Sequence, residues 1–206
     1  MKLTIEKTRL SVRCASVALA MALTVPLPVA AGSTETLVLQ FMGAAPAKSW
    51  NELSQSTVSE IQALDEAGDL DVASLDGFAC FEIDLLDPSS GASVGTGVDC
   101  LSPNPLDDAF DAVEVTAFSF FILPGGAFVS NGLTSVRAFI PGFGSGGYTH
   151  ITGSVPDGDN IISGTGQFEK GGSTRVSGVV DMSEFGSAGI IDFNCLWVAV
   201  VEMKAG

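Results

Sequence analysis

The chain is poor in the residues from which most catalytic centres are built. Its 206 residues include one histidine, one tyrosine and four cysteines, and no two cysteines form a CxxC pair. Protein zinc sites are usually built from cysteine and histidine ligands, so the composition argues against a zinc site. We predict no metal and no other cofactor.

Positive charge is also scarce. Nine Lys and Arg stand against 24 Asp and Glu, and the net charge is −15. Nucleic acid and anionic lipid head groups are bound through clustered Lys or Arg, and a chain with this charge repels them. We therefore exclude nucleic acid and anionic membrane surfaces as partners.

The first 31 residues have the pattern of a signal peptide. Positively charged residues come first: Lys2, Lys7, Arg9 and Arg13. The apolar stretch from Cys14 to Val25 is shorter than the roughly 20 residues that a membrane-spanning helix needs. We expect cleavage after Ala31, with a retained N-terminal anchor as the alternative. Cleavage leaves five Lys and Arg against 23 Asp and Glu, a net charge of −18, in a secreted or periplasmic protein without a membrane span.

Three cysteines remain after cleavage: Cys80, Cys100 and Cys195. In an oxidising compartment, this number indicates one disulfide and one spare thiol. Residues 77–101 have the pattern of a β-hairpin with a turn at DPSSG, and counting back from that turn places Cys80 opposite Cys100. We predict this bridge; a register slip of one residue would undo it, and Cys195 is the rival partner.

The mature chain is predicted to be one domain in two parts. Residues 32–76 add an N-terminal strand and a helix, and residues 77–206 form the β-rich core. The strand is predicted over residues 35–42 and is ended by GAAPAK. Ser49 and Glu52 form a capping box at the start of the helix, and Gly68 ends it.

From Gly77 onward, short strands alternate with turns at regular spacing. Eight or nine strands are separated by segments such as PGG, PGFGSGG and PDGDN, and 24 glycines suit a strongly coiled sheet. The pattern predicts an all-β fold, either a barrel or a sandwich.

The stretch SGTGQFEKGGSTRVSGVVDMS, residues 163–183, has the glycines of a phosphate-binding loop without their order. A P-loop needs GxxxxGK followed by Ser or Thr, whereas Lys170 precedes Gly171 and Gly172. A dinucleotide fingerprint also fails, because Glu169 occupies its third glycine position. β-Branched residues at strand spacing follow the glycines. We interpret the stretch as two strands joined by a tight turn at EKGGS.

The same region resembles the allene oxide cyclase-like and dirigent-like β-barrel proteins. Its ITG turn at residues 151–153 precedes a GTGQF strand at residues 164–168, and a VSG element follows at residues 176–178. The hairpin FEIDLLDPSSGASVGTGVDC is similar to the early hairpin of these families, and the resemblance spans roughly residues 77–202.

The resemblance implies a small closed antiparallel β-barrel of about eight strands whose interior can hold one apolar molecule. It also implies a homo-oligomer, a dimer or a trimer. Plant cyclases of this kind carry a glutamate and an asparagine on and just after the first strand. The stretch ETLVLQFMGAAP has Gln40 and no asparagine, so the fatty-acid cyclase reaction is not carried over.

Polar residues on strands supply the candidates for catalysis. Glu82 lies on the mixed face of its strand, and it becomes a buried acid or base if that face lines the barrel; otherwise the face meets solvent. Tyr148 and His150 share a strand face and either polarise a carbonyl group or act as hydrogen-bonded fillers. Arg137 lies in an apolar strand and either pairs with a strand carboxylate or faces water.

Two hypotheses for function follow. The first is a barrel that binds a small apolar molecule, with steering of its cyclisation or isomerisation by Glu82, Tyr148, His150 and Arg137 as the catalytic form. The second is a non-catalytic secreted module for binding or assembly. Whether the protein is an enzyme is left open, and the two differ in the lumen, because catalysis needs a cavity of a few hundred Å³ with convergent polar groups.

Overall fold

The computed structural model describes residues 32–103, 112–138, 148–154 and 159–205. The predicted signal peptide lies outside the described residues. Nine strands are present in the described part: β1 (Thr34–Pro46), β2 (Ala79–Leu86), β3 (Ser93–Leu101), β4 (Ala112–Leu123), β5 (Gly126–Ala138), β6 (Tyr148–Ser154), β7 (Ile161–Gly164), β8 (Phe168–Asp181) and β9 (Ile190–Met203). The helical elements are α1 (Gln55–Ala67), the short α2 (Phe185–Ala188) and 3-10 turns at Trp50–Glu52 and Val72–Leu75. Within these ranges, no helix has both the length and the apolar character needed to cross a membrane.

Eight of the strands close into an antiparallel barrel in the order β4-β3-β2-β1-β9-β8-β6-β5, and the pairing of β5 with β4 completes the ring. The prediction of an all-β closed barrel of about eight strands with one N-terminal helix is confirmed. The first strand is not an addition to that barrel, because β1 pairs with β2 on one edge and with β9 on the other.

The ninth strand, β7, pairs with β5 alongside β6. Asn160 stands just before β7 and holds the wall together between β5 and β8. Its carbonyl oxygen accepts from the Asn131 N–H, its N–H donates to the Gly172 carbonyl oxygen, and its side-chain oxygen accepts from the Thr174 N–H at 2.7 Å. Asn160 therefore links β5 to β8 by hydrogen bonds to the backbone of both strands, as a strand between them would.

The barrel interior is filled by side chains that alternate along each strand. In β9, every second residue from Ile191 to Val201 is buried, and the residues between Asp192 and Val198 on the other face are exposed. The largest fully buried side chains of this interior cluster are aromatic: Phe41, Phe81, Phe121, Phe128, Phe168 and Phe193. Space is so limited that a Cβ atom on Gly97 would lie 2.5 Å from the Phe41 ring.

A second core, the helix layer, fills the space between α1 and the outer face of β2–β5. Its buried members include Ile61 and Leu64 of α1, with Val98, Phe120 and Val129 from the strands.

The predicted disulfide lies in the helix layer. Cys80 and Cys100 are directly opposite each other on β2 and β3 and are bonded. The prediction of one bridge and one spare thiol is therefore confirmed. Cys195 is the free cysteine of the described chain and is buried in the interior cluster.

The helix begins later than the sequence predicts. The capping box of Ser49 and Glu52 is present, but it closes the 3-10 turn, and extended Leu53 follows. Helix α1 starts only at Gln55, with Ser54 as its N-cap, and Gly68 is its C-cap as predicted. The prediction failed because a distant carboxylate, described below, holds Ser54.

Two strand boundaries also differ from prediction. β1 continues through GAAP to Pro46, with Gly43 at a φ of 123°. In the glycine-rich stretch, the turn is at Thr165–Gln167, where Gly166 has a φ of 60°, and not at EKGGS. Strand β8 passes through EKGGS with a shift in register before Gly172, because positive φ angles at its two glycines form a bulge within the strand.

Candidate functional site

Of the four residues predicted to steer chemistry, Glu82, Arg137 and His150 lie on the outer face of the barrel. Glu82 lies on the outer face of β2, because Phe81, Ile83 and Leu85 of the same strand fill the interior. Glu82 is therefore not a carboxylate of the barrel lumen, because its face of the strand does not line the barrel.

Glu82 instead anchors the start of α1. Its Oε1 accepts hydrogen bonds from Ser54 Oγ and Thr57 Oγ1, both at 2.5 Å, and its Oε2 accepts from the Ser54 N–H at 3.0 Å. Partial burial opposes the negative charge, but these donors, helped by Lys48, outweigh it and lower the pKa of Glu82. These three hydrogen bonds of the carboxylate attach the start of the helix to the outer face of β2.

Arg137 and His150 are brought together, but on the outer face of the barrel. They are direct partners across β5 and β6, and Arg137 is exposed. The Arg137 Nε atom donates to Ser135 Oγ at 3.3 Å. The backbone of Tyr148 is paired with that of Asp181 in β8. The side chain of Tyr148 lies outside the described part of the structure.

A different carboxylate occupies the barrel interior. Asp99 on β3 is 4 % exposed, and its Oδ1 accepts a hydrogen bond from Ser119 Oγ at 2.7 Å. Burial raises the pKa of Asp99 to about 6, and the Ser119 hydrogen bond offsets part of this rise. A group that titrates near neutral pH inside a barrel has the protonation behaviour of an acid or base, and it was not among the predicted residues.

Asp99 also affects the buried thiol. Burial, and then the negative charge of Asp99, raise the pKa of Cys195 to about 12. The thiol therefore stays protonated at neutral pH and is not a nucleophile.

The interior has very little free space. A cavity of about 10 Å³ lies next to Trp197 and is lined by small and polar side chains: Ala117, Ser119, Ser130, Thr134, Asn160 and Thr174, with Gly132, Leu133 and Gly153. A cavity of this size holds about one water molecule. This cavity is far smaller than the few hundred Å³ that a substrate would need.

Larger free space lies outside the barrel. A groove of about 540 Å³ crosses the outer face of β4, β5, β6, β8 and β9. Its lining, which we call the outer groove, comprises Glu114, Leu133, Ser135, Thr152, Gly153, Arg175, Val176, Ser177, Leu196 and Val198. The volume falls within the range of about 300–1,000 Å³ of small-molecule sites.

Register explains how the outer groove is built. Leu196 faces Ser177, which faces Thr152, and Thr152 faces Ser135, so one row of side chains runs across four strands. The side chains of Ser177, Thr152 and Ser135 in this row are small and leave a depression. Exposed Leu133, Leu196 and Val198 supply apolar walls.

Comparison with known proteins adds no relative. No protein-family model matches the chain, and no curated protein or solved structure matches it. Among the described residues, no group of three or more His, Cys, Asp or Glu is placed to hold a metal ion.

Asp99 was missed for a reason that the sequence itself could have corrected. The candidates were chosen by residue type, whereas the face of the strand decides what a residue can contact. Asp99 precedes Cys100, so the two point to opposite faces of β3. Placing the disulfide on the outer face would have placed Asp99 in the interior.

Proposed function

We propose that the protein is an exported module that binds a small apolar molecule in the outer groove. The observation that carries the proposal is the groove of about 540 Å³ with exposed Leu133, Leu196 and Val198 on its walls, beside an interior cavity of about 10 Å³. The proposal is of binding in the groove and not of catalysis in the lumen, because the cavity beside Trp197 is too small for a substrate.

Two charged residues in the lining bear on the kind of molecule that would fit. Arg175 lies opposite Val198 across β8 and β9, and Glu114 lies at the far end of the row on β4. A mostly apolar molecule with a small polar group satisfies such a lining. The signal-peptide pattern and the disulfide support export, since disulfides persist in oxidising compartments. Membership of the allene oxide cyclase-like or dirigent-like families stays a prediction.

The binding proposal is tested with a matched pair of valines. Val38 and Val198 are direct partners across β1 and β9 and are 45 % and 39 % exposed, but only Val198 lines the groove. Val198→Asp places a negative charge against the bound molecule, so we expect the affinity for anilinonaphthalenesulfonate, a fluorescent dye with apolar rings and one sulfonate group, to fall at least about tenfold. Val38→Asp adds the same charge outside the groove and should leave the affinity within about twofold.

Equal dye affinity in the two variants would contradict binding in the groove. Native mass spectrometry of protein taken from its own host's envelope is the complementary measurement. A retained small molecule that is lost from the Val198→Asp variant would support the proposal.

Assembly is the second candidate function, and the distribution of exposed apolar residues favours it. Large exposed hydrophobic side chains of the described chain are Val38, Met42, Leu133, Phe185, Leu196 and Val198, and all except Phe185 lie on barrel strands outside the helix layer. Apolar patches on a protein surface often mark interfaces. The expected product is a homo-oligomer, a dimer or trimer.

The same two variants separate assembly from binding. If the face joins copies of the chain, Val38→Asp and Val198→Asp should both lower the mass measured by sedimentation. If only the groove functions, the mass of both variants equals that of the unmodified protein and only dye binding changes.

A further inference from the structure

We propose that the interior cavity is a site for one water molecule that connects the indole N–H of Trp197 to the carboxyl group of Asp99 through Ser119, and that this connection changes direction when Asp99 gains or loses its proton. The proposal concerns the interior of the barrel and does not depend on the outer groove.

The first observation is a buried donor without a partner. Trp197 is 5 % exposed and lines the cavity, and its Nε1 atom has no hydrogen-bond partner in the described chain. An indole N–H can only donate, and burying it without an acceptor is costly. The molecule in the cavity must therefore accept a hydrogen bond.

The second observation is an acceptor on the same cavity. Ser119 Oγ donates its single hydrogen to Asp99 Oδ1, so its lone pairs are left to accept. Ser119 lines the cavity together with Ser130 and Thr134. Water can accept from Trp197 and donate to Ser119. The cavity of about 10 Å³ has room for about one water molecule, and its polar lining supplies the two to four partners that a buried water needs.

The direction of this chain of hydrogen bonds depends on the charge of Asp99. Ionised Asp99 accepts from Ser119, and the water must then donate to Ser119. Protonated Asp99 can donate its own hydrogen to Ser119 Oγ, which frees the Ser119 hydrogen to point at the water. The water then turns, and the hydrogen bond from Trp197 changes with it.

The described residues around Asp99 carry no charge that would fix its protonation state. Phe81 of β2 is opposite it on one side and Ser119 of β4 on the other. The titratable group that is affected by the charge of Asp99 is the Cys195 thiol of β9, which stays protonated and uncharged at neutral pH. Within the described residues, burial and Ser119 are the influences on its pKa, no cation contributes, and the pKa of about 6 places the change near neutral pH.

The experiment uses the two indole N–H signals of the ¹⁵N-labelled protein. The chain has two tryptophans, and Trp50→Phe assigns the signals. The Trp50 Nε1 atom has a different partner, because it donates to Asp76 Oδ1 at 3.2 Å. Trp50 therefore serves as the internal control. We expect the Trp197 signal to show a nuclear Overhauser cross-peak to a bound water and to shift with pH around a midpoint of about 6.

Two variants test the connection. Asp99→Asn should remove the pH-dependent shift of Trp197 and leave that of Trp50 unchanged. Ser119→Ala should also remove the pH-dependent shift of Trp197, although the carboxyl group of Asp99 is still present and still titrates. Both key readings come from the unmodified protein, so poor folding of a variant does not remove the test: a Trp197 signal without contact to water, or one that does not change near pH 6, overturns the proposal.

Discussion

The pKa values of two carboxylates, one inside the interior cluster and one at the edge of the helix layer, are shifted in opposite directions. In the interior cluster, Asp99 has one hydrogen-bond donor and no cation, and its pKa is raised to about 6. At the edge of the helix layer, Glu82 accepts from Ser54 and Thr57 and lies near Lys48, and its pKa is lowered. The comparison shows two balances of the same effects: full burial with one donor disfavours the charged form of Asp99, whereas partial burial with three hydrogen bonds and a nearby lysine favours the charged form of Glu82.

The largest expected effect comes from the aromatic packing of the interior. Phe121 is fully buried, and its ring centroid lies 4.7 Å from that of Phe128 and 5.2 Å from that of Trp197. We expect Phe121→Ala to lower the free energy of unfolding by about 3–5 kcal/mol, because the lost contacts leave a cavity in a closed barrel. Phe118→Ala, on the helix-layer face of the same strand, should cost less. Urea unfolding measures both, and equal losses would mean that the two cores are equally rigid.

The disulfide gives the helix layer its main constraint. Cys80 and Cys100 are 20 residues apart in sequence. We expect the double variant Cys80→Ala/Cys100→Ala to lose about 3 kcal/mol, since a bridge over a loop of this length restricts the unfolded chain. Reductant should lower the unfolding temperature of the unmodified protein by a similar amount and should not affect the double variant. An unchanged denaturation midpoint in the variant would be inconsistent with this estimate.

Asp99 should make the fold less stable as the pH rises. Its pKa is raised from 3.8 in the unfolded chain, so the folded state binds the extra proton between about pH 4 and pH 6. Stability is fully present below this window and falls through it by on the order of 3 kcal/mol, after which it levels off. Unfolding of Asp99→Asn should lack this decline. If the variant keeps the full pH dependence of the unmodified protein, another group is responsible.

Glu82 should show the opposite dependence with a smaller size. Its pKa is lowered below 4.5, so its contribution is present above that pH and is lost as the pH falls through the folded pKa. We expect Glu82→Gln to cost roughly 1 kcal/mol near neutral pH, because a neutral amide accepts more weakly from Ser54 and Thr57. Glu66→Gln, at an exposed position of α1, is the matched control. If the stability cost of Glu82→Gln grew as the pH fell, the lowered pKa of Glu82 would be contradicted.

Most of the fold follows from local sequence patterns. Alternation of buried and exposed residues marks β9 along its length, and glycine and proline mark the turn between β4 and β5. The errors arose where a distant partner decides. The capping box of Ser49 and Glu52 is a valid helix signal, yet Glu82, far along the chain, moves the start of the helix to Gln55.

Less of the candidate site could be predicted. The sequence defines the two faces of each strand, but only the closure of the barrel decides which face is inside. His150 was selected because it shares a strand face with Tyr148, and Arg137 because it stands in an apolar strand, but both lie on the outer face of the barrel. The outer groove depends on the register of five strands, which no local pattern contains.

The placement of the three cysteines has a consequence for oxidative folding. Cys80 and Cys100 point into the helix layer, whereas Cys195 points into the barrel, so the wall of the sheet separates the free thiol from the bridge. Once the barrel has closed, Cys195 cannot attack the bond, and thiol–disulfide exchange within the molecule is blocked. A mispaired bridge to Cys195 would have to form before closure and would prevent it. Barrel closure thus acts as a checkpoint that retains the correct disulfide and leaves chains with the wrong one unfolded.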